Sequence, residues 1–283
     1  MINFKDLFGM LSETSAFHCH QSPLYKFTNE VCADYIASSA FARTEPEGCD
    51  FGPFGTLVLP YYSMGNIDSL KLFGLDELIL FAFYLRHKES YKNVADMGAN
   101  IGLHSTLMSK IGWQVTAFEP DPIHVEKIQQ HMALNQVTSL SVKENAVGAE
   151  NAELVFTRLM GNRTGSHIKG KKQDVYGDTE EFTVSCLAFA PLMTEFDFIK
   201  MDIEGAEADA ICATDAEDWQ HTDVMLEVGS DDNAKRIFEH AQSIGLSMFS
   251  QKTGWEKVAS LKDMPVSHRE GSLFLSANKT TVW

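Results

Sequence analysis

From residue 93 onward, short apolar runs alternate with longer stretches whose apolar positions recur every three or four residues. The first pattern suits strands buried on both faces, the second helices laid against a sheet. The spacing predicts strands at 94–97, 115–118, 140–143, 196–201, 224–228, 246–250 and 272–276. It predicts helices at 103–111, 122–134, 205–213 and 232–244. Asp121 before Pro122 is a start signal for the second of these, and Asn135 a stop. Seven strands alternating with helices imply an α/β fold, a mostly parallel sheet with its ligand-facing loops at the carboxyl edge.

The interval 153–187 breaks this alternation. Leu154-Val-Phe-Thr-Arg158 and Phe182-Thr-Val-Ser-Cys186 read as an inserted hairpin, joined by a polar loop. A loop that long is functional or mobile, and Gly161, Gly165 and Ser166 suit a segment that closes over a bound molecule. His167 within it reads as a surface residue. The first ninety residues are less regular. They predict helices at 4–8 and 31–41, a turn at 51–56, a strand at 57–59 and an amphipathic helix at 76–87. That last helix carries Leu78, Phe81, Ala82 and Leu85 on one face. The chain therefore divides into a cap or packing arm over 1–90 and a sheet domain over 91–283.

Composition removes several classes. With 39 acidic against 23 basic residues the net charge is −16, which argues against a nucleic-acid partner. The one basic cluster, Lys169-Gly-Lys-Lys172, reads as a solvated loop. Five cysteines without a C-x-x-C pair suit a reducing, cytoplasmic setting. His18-Cys19-His20 with Cys32 does not follow zinc-finger spacing, so no metal is assigned there. No apolar run approaches the roughly 20 residues of a membrane span, and no leader-like segment opens the chain.

The chemistry concentrates at Asn93–Pro120. Asp96-Met-Gly98-Ala-Asn100-Ile-Gly102 reads as a strand end, a glycine turn and a helix start near Gly102, with His104 in the first turn in a cofactor-side or packing role. Such a turn lets backbone approach a ligand, and the helix start offers free N–H groups. Glu119, ending the next strand before Pro120, is placed to accept hydrogen bonds from ribose hydroxyls. The dinucleotide fingerprint would have a glycine where Asp96 stands. A carboxylate there repels a pyrophosphate and tolerates an ammonium. That points to S-adenosylmethionine and against a nicotinamide-dependent oxidoreductase.

Asp96-Met-Gly-Ala-Asn-Ile-Gly102, Ala117-Phe-Glu-Pro-Asp121 and Phe198-Ile-Lys-Met-Asp-Ile-Glu-Gly-Ala-Glu207 together resemble the FkbM family of S-adenosylmethionine-dependent methyltransferases. The likeness spans roughly 76–278, and its third block is the specific one. It implies a class I, Rossmann-like methyltransferase domain with the hairpin beside the active site. It also implies O-methylation of a hydroxyl on a sugar, glycan or polyketide-like metabolite, with N-methylation of a peptide or amide side chain as the alternative. In such enzymes the segment Glu144-Asn-Ala146 meets the adenine, so Asn145 would bond the purine edge and Ala146 lie against its face. Asn145 also suits a plain turn.

In Ile199-Lys-Met-Asp-Ile-Glu204, Lys200, Asp202 and Glu204 fall on one side of a strand that should be apolar on both. Buried charges are costly unless paired. Two arrangements account for them. Asp202 or Glu204 takes the acceptor proton while Lys200 steadies a developing oxyanion, or the carboxylates, with Glu227, hold a divalent metal. The metal-free arrangement is favoured, since Lys200 competes with a cation.

Overall fold

The computed structural model describes residues 3–64, 68–159, 167–168 and 179–283. The basic run 169–172 and the glycines at 161 and 165 lie outside them, as does Ser166. The chain opens with helices α1 (Phe4–Glu13) and α2 (Pro23–Ala37), a small hairpin of β1 (Gly48–Asp50) and β2 (Thr56–Val58), and helix α3 (Leu75–Arg86). Then come β3 (Asn93–Met97), α4 (Leu103–Lys110), β4 (Gln114–Phe118), α5 (Pro122–Leu134) and β5 (Leu140–Lys143). An inserted region follows: β6 (Ala146–Gly148), β7 (Ala152–Leu159), β8 (His167–Ile168) and β9 (Thr179–Ala188). The chain returns through α6 (Phe189–Met193), β10 (Phe198–Met201), α7 (Glu207–Cys212), β11 (Asp223–Glu227) and α8 (Asp231–Ser243). It closes with β12 (Ser247–Ser250), β13 (Glu256–Lys257) and β14 (Ser272–Ser276).

The main sheet runs β13-β12-β14-β11-β10-β3-β4-β5. Its parallel half is β11-β10-β3-β4-β5, and β14 enters antiparallel to both β11 and β12. All seven expected strands are present, and the short β13 adds an eighth at one edge. Chain order reverses between β3 and β10, so the sheet's switch point, where ligands sit in such folds, is at Gly98 and Asp202.

Period-two alternation sorts the strands onto two cores. Val94, Val115, Ala117, Phe198 and Met225 face the N-terminal helices, while Ala95, Met97, Ile199, Met201 and Leu226 face α7 and α8. Asp96 and Lys200 lie in register on β3 and β10, among neighbours of the first face. Their charges are therefore buried on the side of α3, not beside the inserted hairpin.

The N-terminal segment differs most from expectation. Helix α2 begins at Pro23, not Val31, because Ser22 caps it through the Tyr25 N–H and proline takes its first turn. Helix α3 is buried nearly all round, from Leu78 through Tyr84, and is no simple amphipathic element. Its outer side is covered by α1, whose Phe4 packs at a tilt against Phe51 (ring centroids 4.3 Å), which in turn meets Phe81. His18 and His20 part company: His18 Nε2 donates to the Leu11 carbonyl while Nδ1 accepts from Trp255, and His20 reaches Asp76. Burial pulls the His18 pKa down to about 4, which keeps the ring neutral in that role.

The hairpin forms in the expected place but is longer, pairing β7 with β9 from Ala152↔Cys186 to Leu159↔Thr179. His167 is not a surface residue. It sits in β8 opposite Thr157 and is 1% exposed. Among the described residues no helix is long and apolar enough to cross a membrane.

Candidate functional site

At the switch point the β3–α4 turn folds on itself. Gly98 and Gly102 take φ of +77° and +80°, and Asn100 takes +52°. The Gly98 and Ala99 N–H groups both donate to the Phe118 carbonyl. The glycines have a nearer reason than close approach of a ligand. A Cβ on Gly98 would overlap the Asp202 backbone carbonyl, and one on Gly102 would press on Ile128 of α5. Gly98 thus lets the ends of β3 and β10 touch.

Glu119 fastens this turn to the next. One carboxylate oxygen accepts from the Asn100 N–H (2.8 Å), the other from the Asp121 N–H (2.9 Å). It is 4% exposed and lines a cleft of about 570 Å³. Gly98, Asn100, Pro120, Asn145, Ala146, Asp202 and Glu204 line the same cleft, so most of the expected cofactor-side residues converge there. Phe118, Phe156 and Ile168 supply apolar walls that the sequence did not single out; the last two come from the inserted region. Asn145 also donates weakly to the Ser185 carbonyl (3.4 Å).

Four expected residues stand apart from this cleft's lining. Asp96 is fully buried; one oxygen accepts from Ser105 (2.5 Å) and the other has no hydrogen-bond partner among the described residues. Gly102 packs on α5. His104 is turned toward α3, with Nε2 on Glu77 (2.9 Å) and Nδ1 on Tyr84 (2.8 Å). Lys200 lines a second cleft of about 400 Å³, with Asp76, Glu77, Glu227 and His268. Asp202 borders both clefts.

The second cleft is a field of carboxylates around one cation. Lys200 Nζ stands 3.7 Å from both Asp96 and Asp202. Burial opposes its charge, yet Asp202, Asp96, Glu77 and Glu227 hold its pKa above the ordinary lysine value, so it stays an ammonium. Burial likewise opposes the Glu77 carboxylate, but His104 and Lys200 keep its pKa below the usual range. Glu227 goes the other way. Burial and the charges of Asp202, Glu204, Glu77 and Glu207 push it well above.

Glu204 has φ of +54°, strained for a residue with a side chain. Glu207, not among the expected site residues, shapes the turn. Its carboxylate accepts from the Ile203 N–H (2.9 Å) and the Gly205 N–H (2.9 Å). Burial raises its pKa to about 7 against those bonds, helped by Asp202. The missed signals were local: acids at Asp76 and Glu77 opening an otherwise apolar helix, and an acid two residues past Gly205. Among the described residues no three His, Cys, Asp or Glu side chains form a group able to hold a metal ion.

The strand order β5-β4-β3-β10-β11-β14-β12, with β14 antiparallel and the cleft at its switch point, defines a class I methyltransferase fold. Within that class, the chain belongs to the methyltransferase FkbM domain family, whose model matches residues 96–249, more than half its length. It is an S-adenosylmethionine-dependent methyltransferase, and the oxidoreductase alternative falls away. It is 28% identical to Methyltransferase 1 of Beauveria bassiana over 189 residues, covering 57% of this chain and 75% of that one. It is 25% identical to Methyltransferase sdnD of Sordaria araneosa over 197 residues, with the same coverages. Among solved structures it is similar to a precorrin-6y C5,15-methyltransferase from Geobacter metallireducens at 12% identity and a TM-score of 0.35, covering 65% and 77% of the two chains.

Proposed function

We propose that the first cleft holds S-adenosylmethionine, that the second admits the acceptor, and that Asp202 stands where the methyl group crosses. The observation that carries this reading is the sharing of Asp202 by the two clefts. The donor set fits the cofactor. Asn100 Oδ1 is a buried acceptor without a partner among the described residues, suited to an ammonium. Glu119 offers its remaining lone pairs to ribose hydroxyls, and Asn145 with Ala146 borders the place for the purine.

The bound cofactor supplies a methyl group on a sulfonium. Displacement there needs nucleophile, carbon and sulfur in line, which the two clefts meeting at Asp202 favour. Transfer of that methyl to an alcohol oxygen of the acceptor would form a C–O bond and leave the C–S electron pair on sulfur. The alcohol proton passes to the Asp202 carboxylate, and the Lys200 ammonium steadies the oxygen as that proton leaves. Glu204 is the second candidate base, from the cofactor side. The acceptor is proposed to be a hydroxyl on a sugar, glycan or polyketide-like metabolite, without nucleic acid or a metal ion, in the cytoplasm.

The first ninety residues are proposed to cap the acceptor cleft. Asp76 lines that cleft and accepts, on one oxygen, from His20 (2.9 Å), Tyr25 (3.0 Å) and Gln251 (2.6 Å). The cap and the loop after β12 are thus tied at its rim. The test is a screen of hydroxylated metabolites, glycans and peptides with methyl-labelled S-adenosylmethionine. The expected product carries one labelled methyl on oxygen. A methyl found on nitrogen would replace the O-transfer reading.

A further inference from the structure

Glu227 ends β11 beside the end of β10, half-buried on the acceptor cleft. Each acid around it has a partner or a distinct task. From α3, Glu77 is paired with His104, and Asp76 is held by His20, Tyr25 and Gln251. From β10 and its turn, Asp202 stands against Lys200, and Glu204 faces the cofactor cleft. From α7, Glu207 takes backbone N–H groups. His268, from the segment before β14, lines the same cleft. Among the described residues no cation comes within ion-pair distance of Glu227, and no donor within hydrogen-bond distance. Ionised, it would be a partly buried carboxylate set among carboxylates, which is costly unless it is paired.

A second observation points to a ligand. The Lys200 side chain is 9% exposed and lines this cleft, yet its ion partners stay at 3.7 Å. No acceptor among the described residues comes within hydrogen-bond distance of its ammonium. A buried donor of that kind calls for an oxygen from outside the chain.

We propose that Glu227 works as a neutral carboxylic acid, donating its O–H beside Lys200 to an oxygen of the acceptor. The proposal rests on the second cleft being the acceptor site, and it names what that site reads. With Lys200 and Glu227 both donating and Asp202 accepting, the cleft suits a neutral, oxygen-rich group. A cationic amine would meet two donors and find no ionised Glu227. The upward push on the Glu227 pKa from burial and its acidic neighbours agrees with this geometry.

The test uses the whole protein, with side-chain carboxyl carbons of glutamate labelled with ¹³C and followed by NMR across pH. Glu227→Gln assigns the resonance by its disappearance. At pH 7 the Glu227 signal should hold its protonated position and move only at higher pH. Titration within the ordinary glutamate range, near about pH 4.3, would overturn the proposal. As a second measurement, Glu227→Gln should unfold at a higher temperature than the wild type at pH 8 and show no such gain at pH 4. Equal melting of the two proteins at pH 8 would also count against it. Binding of S-adenosylmethionine to the same labelled wild-type sample reports separately on the cofactor cleft.

Discussion

Three residues carry most of the consequence at the smallest scale. Gly98→Ala should fail by collision with the Asp202 carbonyl and by its positive φ. A cost of at least about 2 kcal/mol is expected, read as a lowered denaturation midpoint. Glu119→Ala strips two backbone N–H groups of their acceptor and removes the proposed ribose contact. Calorimetry should show cofactor affinity weakened by roughly 1–3 kcal/mol. Asp202→Asn should slow the chemical step by about 10²–10⁴-fold while cofactor binding persists, and wild-type turnover should survive a chelator. Rescue of chelated enzyme by Mg²⁺ or Mn²⁺ would reinstate the metal arrangement. The identities of these residues were legible in the chain because motif spacing exposes them. Their partners were not. Nothing local in the sequence says that Gly98 abuts Asp202, or that His104 turns away to Glu77, because both contacts arise from elements far apart in the chain.

At the scale of elements, periodicity read the sheet domain well. Strands at 115–118, 140–143 and 272–276 and the helix Pro122–Leu134 fall where the spacing puts them, within a residue. A helix with its own start and stop signals and a strand buried throughout, as β14 is, leave little ambiguity. The N-terminal segment was read poorly, for two physical reasons. Ser22-Pro23, a cap followed by a first-turn proline, is a start signal that outweighs the apolar spacing at 31–41. The all-round burial of α3 depends on α1 covering it, a tertiary fact that an apolar stripe cannot reveal. The ties that hold this segment suggest its test. Asp76→Ala should leave Tyr25, His20 and Gln251 without their shared acceptor, costing about 1–3 kcal/mol of stability in chemical denaturation. Cofactor affinity should stay unchanged, because Asp76 lines only the second cleft.

Several buried acids sit where the chemistry is proposed, and that ties the stability of the whole molecule to pH. Glu207 is almost fully buried, and its pKa of about 7 in the folded protein lies above the unfolded value of about 4.3. The folded state therefore binds the proton more tightly than the unfolded chain between those two values. Its contribution to stability is full below about pH 4.3 and is lost as pH rises through about 7. Glu207→Gln keeps an acceptor for the Ile203 and Gly205 N–H groups but cannot ionise. Its melting temperature should fall less steeply than that of the wild type between pH 5 and pH 8, and parallel curves would refute the linkage. The central claim for the molecule is that its first cleft is built for an ammonium and a ribose, not for a pyrophosphate. Isothermal titration calorimetry tests that claim most directly. S-adenosylmethionine and its demethylated product should each bind with measurable heat, and NAD should give none. Tight NAD binding with no heat from S-adenosylmethionine would contradict the account.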